Sequence, residues 1–141
     1  MKAFLDSSVL VATFYAHHQH HEASIDLFLR FSKSEACCGA HSLAEVYAVL
    51  TGRSGKERVT GDEALLFLGD VRERLSLISL TGDEQFRAIR EAAEWGITGG
   101  GIYDALLGHC ALKANADRIY TWNLKHFERL GPQISKRVRT P

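Results

Sequence analysis

The apolar positions of the chain follow two different spacings. Short segments that contain apolar residues and lie between the helical patterns predict strands, which we place at residues 2–5, 36–39, 77–80, 118–121 and 134–138. Segments with apolar residues three or four positions apart predict helices, which we place after Ser7 or Ser8 and at residues 21–32, 42–50, 62–75, 83–95, 102–114 and 124–129. Residues 52–61 form a polar loop. Strands that alternate with helices in this way predict an α/β fold with a mostly parallel central sheet.

Hydroxyl side chains mark the predicted starts of two helices. Ser7 or Ser8 is expected to cap the first helix, because a small hydroxyl accepts hydrogen bonds from the free amides of a first turn. Ser42 precedes Glu45 by three residues, which is the spacing of a capping box, and it is expected to cap its own helix. In α/β folds the functional crevice lies at the carboxyl ends of the strands, and Asp6 follows the first predicted strand.

The overall composition is that of an ordinary globular protein. The length of 141 residues points to one domain over residues 1–141, and no low-complexity linker interrupts it. Hydrophobic residues make up 45% of the chain, which is enough for a buried core. Lysine plus arginine and aspartate plus glutamate both number 17, so the net charge is zero. Any surface that binds nucleic acid must therefore be a local basic patch.

The cysteines and the amino terminus indicate a compartment. Cys37, Cys38 and Cys110 fit neither a disulfide framework nor a zinc site, so we expect buried, reduced thiols in a cytoplasmic protein. Polar residues at positions 6–8 interrupt the first apolar run and argue against a signal peptide. No run reaches the roughly 20 apolar residues that a membrane span requires, so no membrane association is expected.

Three acidic residues stand alone in otherwise uncharged stretches of sequence. They are Asp6 within residues 3–21, Glu45 within residues 36–52 and Asp104 within residues 95–112. Small or apolar residues lie three and four positions away from Glu45 and from Asp104. Each of these acids is therefore expected on the inward-facing side of its own helix. Elsewhere in the chain acids and bases are mixed, as on solvated helix faces. The pattern predicts three carboxylates in apolar surroundings without a basic partner.

Buried carboxylates of this kind need a compensating positive charge. An unpaired buried charge is costly, and carboxylates about 5 Å apart repel each other by roughly 3 kcal/mol at an effective dielectric of 20. Oxygen ligands suit Mg²⁺ or Mn²⁺. Asn123 follows a predicted strand and could add a neutral oxygen ligand. The alternative is that Glu45 and Asp104 are acids near helix starts, which the helix dipole favours, and that Asn123 is a turn residue.

The order of four segments resembles a known family. FLDSSVL, LAEVYAVL, GGIYDALL and ADRIYTWNLKHF follow one another in this chain, and together they resemble the PIN-domain family, most closely its toxin ribonucleases of the VapC type. The resemblance spans essentially the whole chain. It implies a three-layer α/β sandwich, with a central mostly parallel sheet flanked by helices, and Mg²⁺- or Mn²⁺-dependent endonuclease cleavage of RNA.

The same resemblance implies the site residues and the partners. The family's acidic cluster corresponds to Asp6, Glu45 and Asp104, and a fourth acid often stands where this chain has Asn123. Residues that support the cluster are implied at two further positions, Ser8 and Thr121. The family also implies a cognate antitoxin that blocks the cleft and a homodimer, with a higher toxin–antitoxin assembly as a further option.

Basic and histidine residues give less specific patterns. The loop that carries Arg53, Lys56 and Arg58, together with Lys125, could track RNA phosphates, although such loops are often simply solvated. The segment HHQHH at residues 17–21 has an i,i+4 histidine pair, a spacing that can bind zinc. We favour an exposed connection between two helices for this segment.

Two other functions compete with that of a ribonuclease. A phosphatase could use Asp6 as nucleophile after a strand, but such enzymes need a second acid two residues later, where this chain has Ser8. A PIN-like module that binds RNA or a protein partner without catalysis is the other alternative. The intact Asp6, Glu45 and Asp104 argue against this alternative, and Asn123 argues slightly for it.

Overall fold

The computed structural model describes residues 1–141 and contains one central sheet. Its five strands are parallel and lie in the order β3-β2-β1-β4-β5. The strands are β1 (Ala3–Leu5), β2 (Ala36–Gly39), β3 (Ser76–Ile78), β4 (Arg118–Tyr120) and β5 (Val138–Arg139). The mostly parallel sheet predicted from the sequence is confirmed.

Eight α-helices connect and cover the strands. They are α1 (Ser7–Phe14), α2 (His21–Arg30), α3 (Ala40–Gly52), α4 (Gly61–Arg74), α5 (Gly82–Glu94), α6 (Gly101–Lys113), α7 (Leu124–Glu128) and α8 (Pro132–Ser135). A short 3₁₀ turn at Gly55–Glu57 interrupts the polar loop between α3 and α4. None of the helices combines the length and the hydropathy that a membrane crossing demands.

The neighbouring strands β1 and β2 are completely buried, which explains why they read as continuous apolar runs. Ala3 and Leu5 of β1 pack with buried residues of α1 to α4, whereas Phe4 packs with buried residues of α5 to α8. Successive side chains of a strand point to opposite faces, so the central strand contributes to both cores. The result is the predicted three-layer sandwich.

The topology brings the carboxyl ends of β1, β2 and β4 to one edge of the sheet. β1 is central and pairs with β2 on one side and with β4 on the other, so the chain leaves β1 at the point where the strand order reverses. Gly39 ends β2 close to α6, and a Cβ atom there would lie only 2.6 Å from Leu107 Cδ2. Glycine at this position therefore lets α6 approach the sheet.

The predicted helix caps at this edge are wrong. Asp6, not Ser7 or Ser8, is the N-cap of α1, and its side chain accepts a bond from the Ser8 amide; a carboxylate is as good a cap as a hydroxyl. Helix α3 begins at Ala40, directly after β2, with no side-chain cap. Ser42 thus lies inside the first turn, and its buried hydroxyl has no hydrogen-bond partner.

Other boundaries differ in ways that local chemistry explains. Helix α4 starts earlier than predicted, because Thr60 forms a full capping box with Glu63. Strand β3 lies earlier than the predicted residues 77–80. The predicted strand over residues 134–138 is wrong in its first part, since Pro132 starts a short helix and its fixed φ suits a first helical turn. Only Val138–Arg139 pairs with β4.

Candidate metal centre

Asp6 lies at the end of β1, and only 3% of its surface is exposed. Its backbone amide donates to the Tyr120 carbonyl oxygen at 2.9 Å, which continues the ladder between β1 and β4. The side-chain oxygen Oδ2 accepts bonds from the Ser8 hydroxyl and the Thr121 hydroxyl, both at 2.8 Å, and a longer one of 3.4 Å from the Ser8 amide. None of these bonds reaches Oδ1, which is left to bind a ligand.

The two hydroxyls also fix the backbone that follows β4. Ser8 Oγ accepts a hydrogen bond from the Trp122 amide at 3.0 Å, and Thr121 Oγ1 accepts one from the Asn123 amide at 2.9 Å. Each hydroxyl therefore donates to Asp6 and accepts from the loop that carries Asn123. The structure thus places both of the predicted supporting residues, Ser8 and Thr121, beside Asp6.

Glu45 and Asp104 reach the same site from two different helices. Glu45 extends from α3 and is half-buried, and its atom Oε1 is buried without a hydrogen-bond partner; His41 Nε2 lies 3.6 Å from that oxygen. Asp104 lies in the first turn of α6, and its Oδ2 is 3.4 Å from His126 Nδ1. Neither carboxylate forms an ion pair with a lysine or an arginine.

The predicted convergence of the acids is found as a shared cavity. Asp6, Glu45, Asp104 and Asn123 all line one open cavity of about 430 Å³. The three acids belong to separate parts of the chain: Asp6 follows β1, Glu45 lies on α3 directly after β2, and Asp104 lies on α6, which packs against β2. Asn123 is the most exposed of the four residues and lies at the N-cap position of α7.

The pKa values of the three acids reflect burial and mutual repulsion. Burial raises the pKa of Asp6, and the bonds from Ser8 and Thr121 partly oppose this. Burial, followed by the charges of Asp6 and Asp104, raises the pKa of Glu45 to about 7. Burial and the charge of Asp6 also raise the pKa of Asp104, against the effect of His126 and Arg129 nearby. For each of the three carboxylates, burial outweighs the groups that favour the ionised form.

The donor set fits a divalent cation. Three carboxylates and one amide supply only the hard oxygen ligands that Mg²⁺ and Mn²⁺ prefer, and the unpartnered Glu45 Oε1 is a buried oxygen without a donor. The structure contains no closed group of three His, Cys, Asp or Glu ligands. A cation would stabilise the ionised form of all three acids.

We expect Glu45 to make the metal-free protein less stable as the pH rises. Its pKa is about 7 in the folded protein, against 4.5 for the ordinary side chain. The folded state therefore holds the proton more tightly than the unfolded chain, and this contribution is lost between about pH 4.5 and pH 7. The melting temperature of Glu45→Gln in EDTA should rise relative to the wild type across this range.

Added MgCl₂ provides the control for this prediction. A bound cation stabilises the folded state by mass action, and it favours the ionised form of Glu45. The difference between Glu45→Gln and the wild type should therefore shrink or reverse in MgCl₂ above about pH 7. A difference in melting temperature that does not change with pH in EDTA would contradict the prediction.

The predicted RNA-binding residues lie outside the cavity. Arg53 packs over the ring of Tyr15, 4.6 Å from its centroid, and pairs with Glu57 at 3.1 Å. Arg58 donates to the Arg53 carbonyl, which leaves Lys56 as an exposed basic side chain on this loop. Lys125, at the start of α7, is exposed two residues beyond Asn123. The loop is close enough to the cavity for the charge of Arg53 to lower the pKa of His18.

The histidine-rich segment contributes side chains that the sequence did not indicate. It does connect α1 and α2 as predicted, but His18 and His20 line the acidic cavity together with Trp122. His21 begins α2, whereas His17 lies in the connection before it, so the two histidines do not share a helix face as an i,i+4 pair of ligands would. The sequence of this segment does not indicate that His18 and His20 line the cavity. They do so because the segment packs against the loop that follows β4.

A parallel sheet with an acidic cavity at its carboxyl edge defines an α/β protein with an oxygen-lined site suited to a divalent cation. The chain belongs to the PIN-domain family, whose model matches residues 3–131. Among curated proteins, Ribonuclease VapC40 of Mycobacterium tuberculosis is 32% identical over 123 residues, which cover 87% of this chain and 87% of the relative. The family resemblance predicted from the four sequence segments is confirmed.

Two solved structures share the fold. The crystal structure of Mycobacterium tuberculosis VapC20, a toxin that cleaves the sarcin–ricin loop, superposes with a TM-score of 0.72 at 16% identity, covering 89% of this chain and 92% of VapC20. VapBC2 of Rickettsia felis, solved with a DNA fragment from its promoter, gives a TM-score of 0.67 at 20% identity, with coverage of 99% and 98%. Both likenesses show the same three-layer architecture.

Proposed function

We propose that this chain is a Mg²⁺- or Mn²⁺-dependent endoribonuclease, the toxin of a toxin–antitoxin pair, formed by one domain over residues 1–141. The observation that carries the proposal is the cavity at which Asp6, Glu45 and Asp104 meet without an ion pair to a lysine or an arginine. In a PIN-domain chain with a ribonuclease among its curated relatives, a divalent cation is the natural partner of such a cavity. The site of action is the cytoplasm, where the RNA is.

Each residue of the cavity has a specific role in this proposal. Asp6 Oδ1 and the Asp104 carboxylate hold the principal cation, and Glu45 completes its ligands or orients a water molecule. A bound divalent cation would make a water molecule more acidic and stabilise the leaving oxygen of a phosphodiester. Asn123 offers a neutral oxygen where many members of the family have an acid, so a second cation would be held weakly.

The supporting residues and the basic side chains act on the ligands and on the substrate. Ser8 and Thr121 hold Oδ2 of Asp6, which leaves Oδ1 as the atom that would bind a cation. The basic residues outside the cavity track the phosphates of a bound RNA; they are Arg53, Lys56, Arg58 and Lys125. Of these, Lys56, Arg58 and Lys125 are exposed.

The proposed partners are a cognate antitoxin and a second copy of the chain. A free ribonuclease would damage its own cell, which requires an inhibitor bound over the cavity. The structural neighbour from Rickettsia felis is VapBC2 bound to a DNA fragment from its promoter, which supports an antitoxin that also binds DNA. A homodimer, or a larger toxin–antitoxin assembly, is proposed on the family resemblance.

A cleavage assay on a structured RNA tests the proposed activity. We expect internal cleavage with Mg²⁺ or Mn²⁺ and none with EDTA. Release of phosphate from a small phosphomonoester without RNA cleavage would instead favour the phosphatase, although position 8 holds a hydroxyl bonded to Asp6 rather than a second acid. RNA binding without cleavage under any of these conditions would favour the non-catalytic module.

A further inference from the structure

The cavity has a second wall that is aromatic rather than acidic. The imidazole of His20 stacks on the indole of Trp122, with ring centroids 3.7 Å apart and planes only 7° from parallel. The indole nitrogen of Trp122 donates to Ser24 Oγ at 2.9 Å, and Ser24 is fully buried. The Trp122 amide is held by Ser8, as described above. The stacked pair is therefore fixed at both its backbone and its side chain.

His18 adds a hydrogen-bonding group to this wall. Its Nδ1 accepts a bond from the His20 amide at 3.0 Å, so in the neutral ring the proton is on Nε2, which becomes a donor. Burial, followed by the charges of His20, Arg53 and His21, lowers the pKa of His18. The neutral ring with a free N–H is the form that can donate to the edge of a nucleobase.

The aromatic wall, formed by His18, His20 and Trp122, lies directly beside the acidic wall, which is formed by Asp6, Glu45 and Asp104. Trp122 stands between Thr121, which bonds to Asp6, and Asn123, which lines the same cavity. A phosphate at the acidic wall would therefore lie within one nucleotide of the rings. Proteins that read unpaired RNA stack its bases on aromatic side chains and bond to their edges. A base inside a duplex has no free face for such stacking.

We propose that His18, His20 and Trp122 form a nucleobase site for the nucleotide next to the scissile phosphate. The inference rests on the proposed ribonuclease function and deepens it. Asp6, Glu45 and Asp104 provide charge but no selectivity among bases. The stacked pair and the His18 donor are the groups in the cavity that distinguish a nucleotide from a bare sugar phosphate.

Tryptophan fluorescence gives a direct test of the base site. The chain has two tryptophans, and Trp95→Phe leaves Trp122 as the only one. In EDTA, which prevents the proposed cleavage, a short single-stranded oligoribonucleotide should quench Trp122, whereas the same oligomer with an abasic residue at each position should not. Equal quenching by both oligomers, or by neither, would overturn the base site.

Variants of His20 give the matching comparison in the same Trp95→Phe background. Loss of one stacking ring should weaken oligomer binding about tenfold, so His20→Ala is expected to raise the dissociation constant by that factor. His20→Phe keeps a ring and should bind within about twofold of the parent, and His17→Ala, on the exposed part of the same segment, should also leave binding unchanged. A His20→Ala variant that is folded by far-UV spectrum and binds like the parent would overturn the proposal.

The two proposals fail in different experiments. Base-dependent quenching in a protein that cleaves no RNA with Mg²⁺ or Mn²⁺ would refute the ribonuclease proposal and support the base site. Normal Mg²⁺-dependent cleavage of unpaired RNA by the His20→Ala variant would refute the base site alone.

Discussion

Replacing Asp6 with asparagine is expected to lower RNA cleavage at least about 100-fold in the presence of Mg²⁺. Residues that merely support a metal ligand are worth 10- to 100-fold in affinity or activity, and Asp6 is proposed as a ligand itself. The Ser8 amide can only donate a bond to the Oδ2 position. The side-chain oxygen of asparagine will therefore occupy that position and turn its NH₂ group toward the cavity, where it repels a cation.

The same variant should fold at least as well as the wild type when no metal is present. Burial raises the pKa of Asp6, which means that its ionised form is unfavourable in the folded protein. Asparagine removes that charge and is as good an N-cap as aspartate, so α1 keeps its cap. Loss of activity with an unchanged or higher melting temperature in EDTA separates a ligand role from a structural one.

Measured initial rates on one RNA substrate provide the comparison. Asp26→Asn, an exposed acid on α2 outside the cavity, is the matched control and should retain wild-type activity. The Asp6→Asn variant should also lose the rise in melting temperature that MgCl₂ gives to the wild type. A variant that retains full cleavage would show that Asp6 does not bind the cation.

The acidic part of the site was predictable because charge is so unevenly spread along the chain. Asp6, Glu45 and Asp104 each stand alone in an apolar element, and a buried carboxylate without a partner has few explanations other than a cation. The position of Asp6 after the first predicted strand then placed it at the sheet edge, and the resemblance to the PIN-domain family grouped Glu45 and Asp104 with it. These signals are all present in the sequence, so no knowledge of packing was needed to read them.

The aromatic wall was not predictable by the same reasoning. His20 and Trp122 are about a hundred positions apart and meet only because the connection between α1 and α2 packs over the loop after β4. The contact between His126 and Asp104 also joins distant segments, whereas His41 lies four residues before Glu45 on α3, a spacing that is readable from the sequence. A prediction of the contacts between distant segments requires the three-dimensional arrangement of loops, which hydrophobic periodicity does not encode.

The same capping-box spacing occurs at the starts of α3 and α4, but only α4 forms the capping box. Ser42 and Glu45 have the spacing of a capping box, yet α3 begins before them because it follows β2 without a break. Glu45 is then free to face the cavity, whereas a capping role would have bound its carboxylate to the backbone. Thr60 and Glu63, in a solvated loop, do form the capping box.

Replacing Thr121 with valine is expected to reduce both the stability and the activity of the protein. Thr121 is fully buried, donates to Asp6 Oδ2 at 2.8 Å and accepts from the Asn123 amide at 2.9 Å. Valine keeps the shape but leaves a backbone N–H without its acceptor and a carboxylate without one donor. Such losses cost about 1–3 kcal/mol of unfolding free energy, measurable by urea denaturation.

The loss in activity should be about 10- to 100-fold, as for other groups that orient a metal ligand. Thr121→Ser keeps the hydroxyl and should retain most of the cleavage, losing only the packing of one methyl group, worth about 0.8 kcal/mol. Thr13→Val is the control, because Thr13 is also buried but bonds to the Val9 carbonyl within α1. It should leave the cleavage rate unchanged.

The pH dependence of cleavage distinguishes positioning from a general loss of structure. Hydrogen bonds from Ser8 and Thr121 lower the pKa of Asp6 against the effect of burial. Thr121→Val removes one of these bonds, so the pKa of Asp6 should rise further and the acid limb of the rate profile should move to higher pH. Thr121→Ser should keep the wild-type profile. If valine and serine variants show the same acid limb, the hydroxyl of Thr121 does not control the ionisation of Asp6.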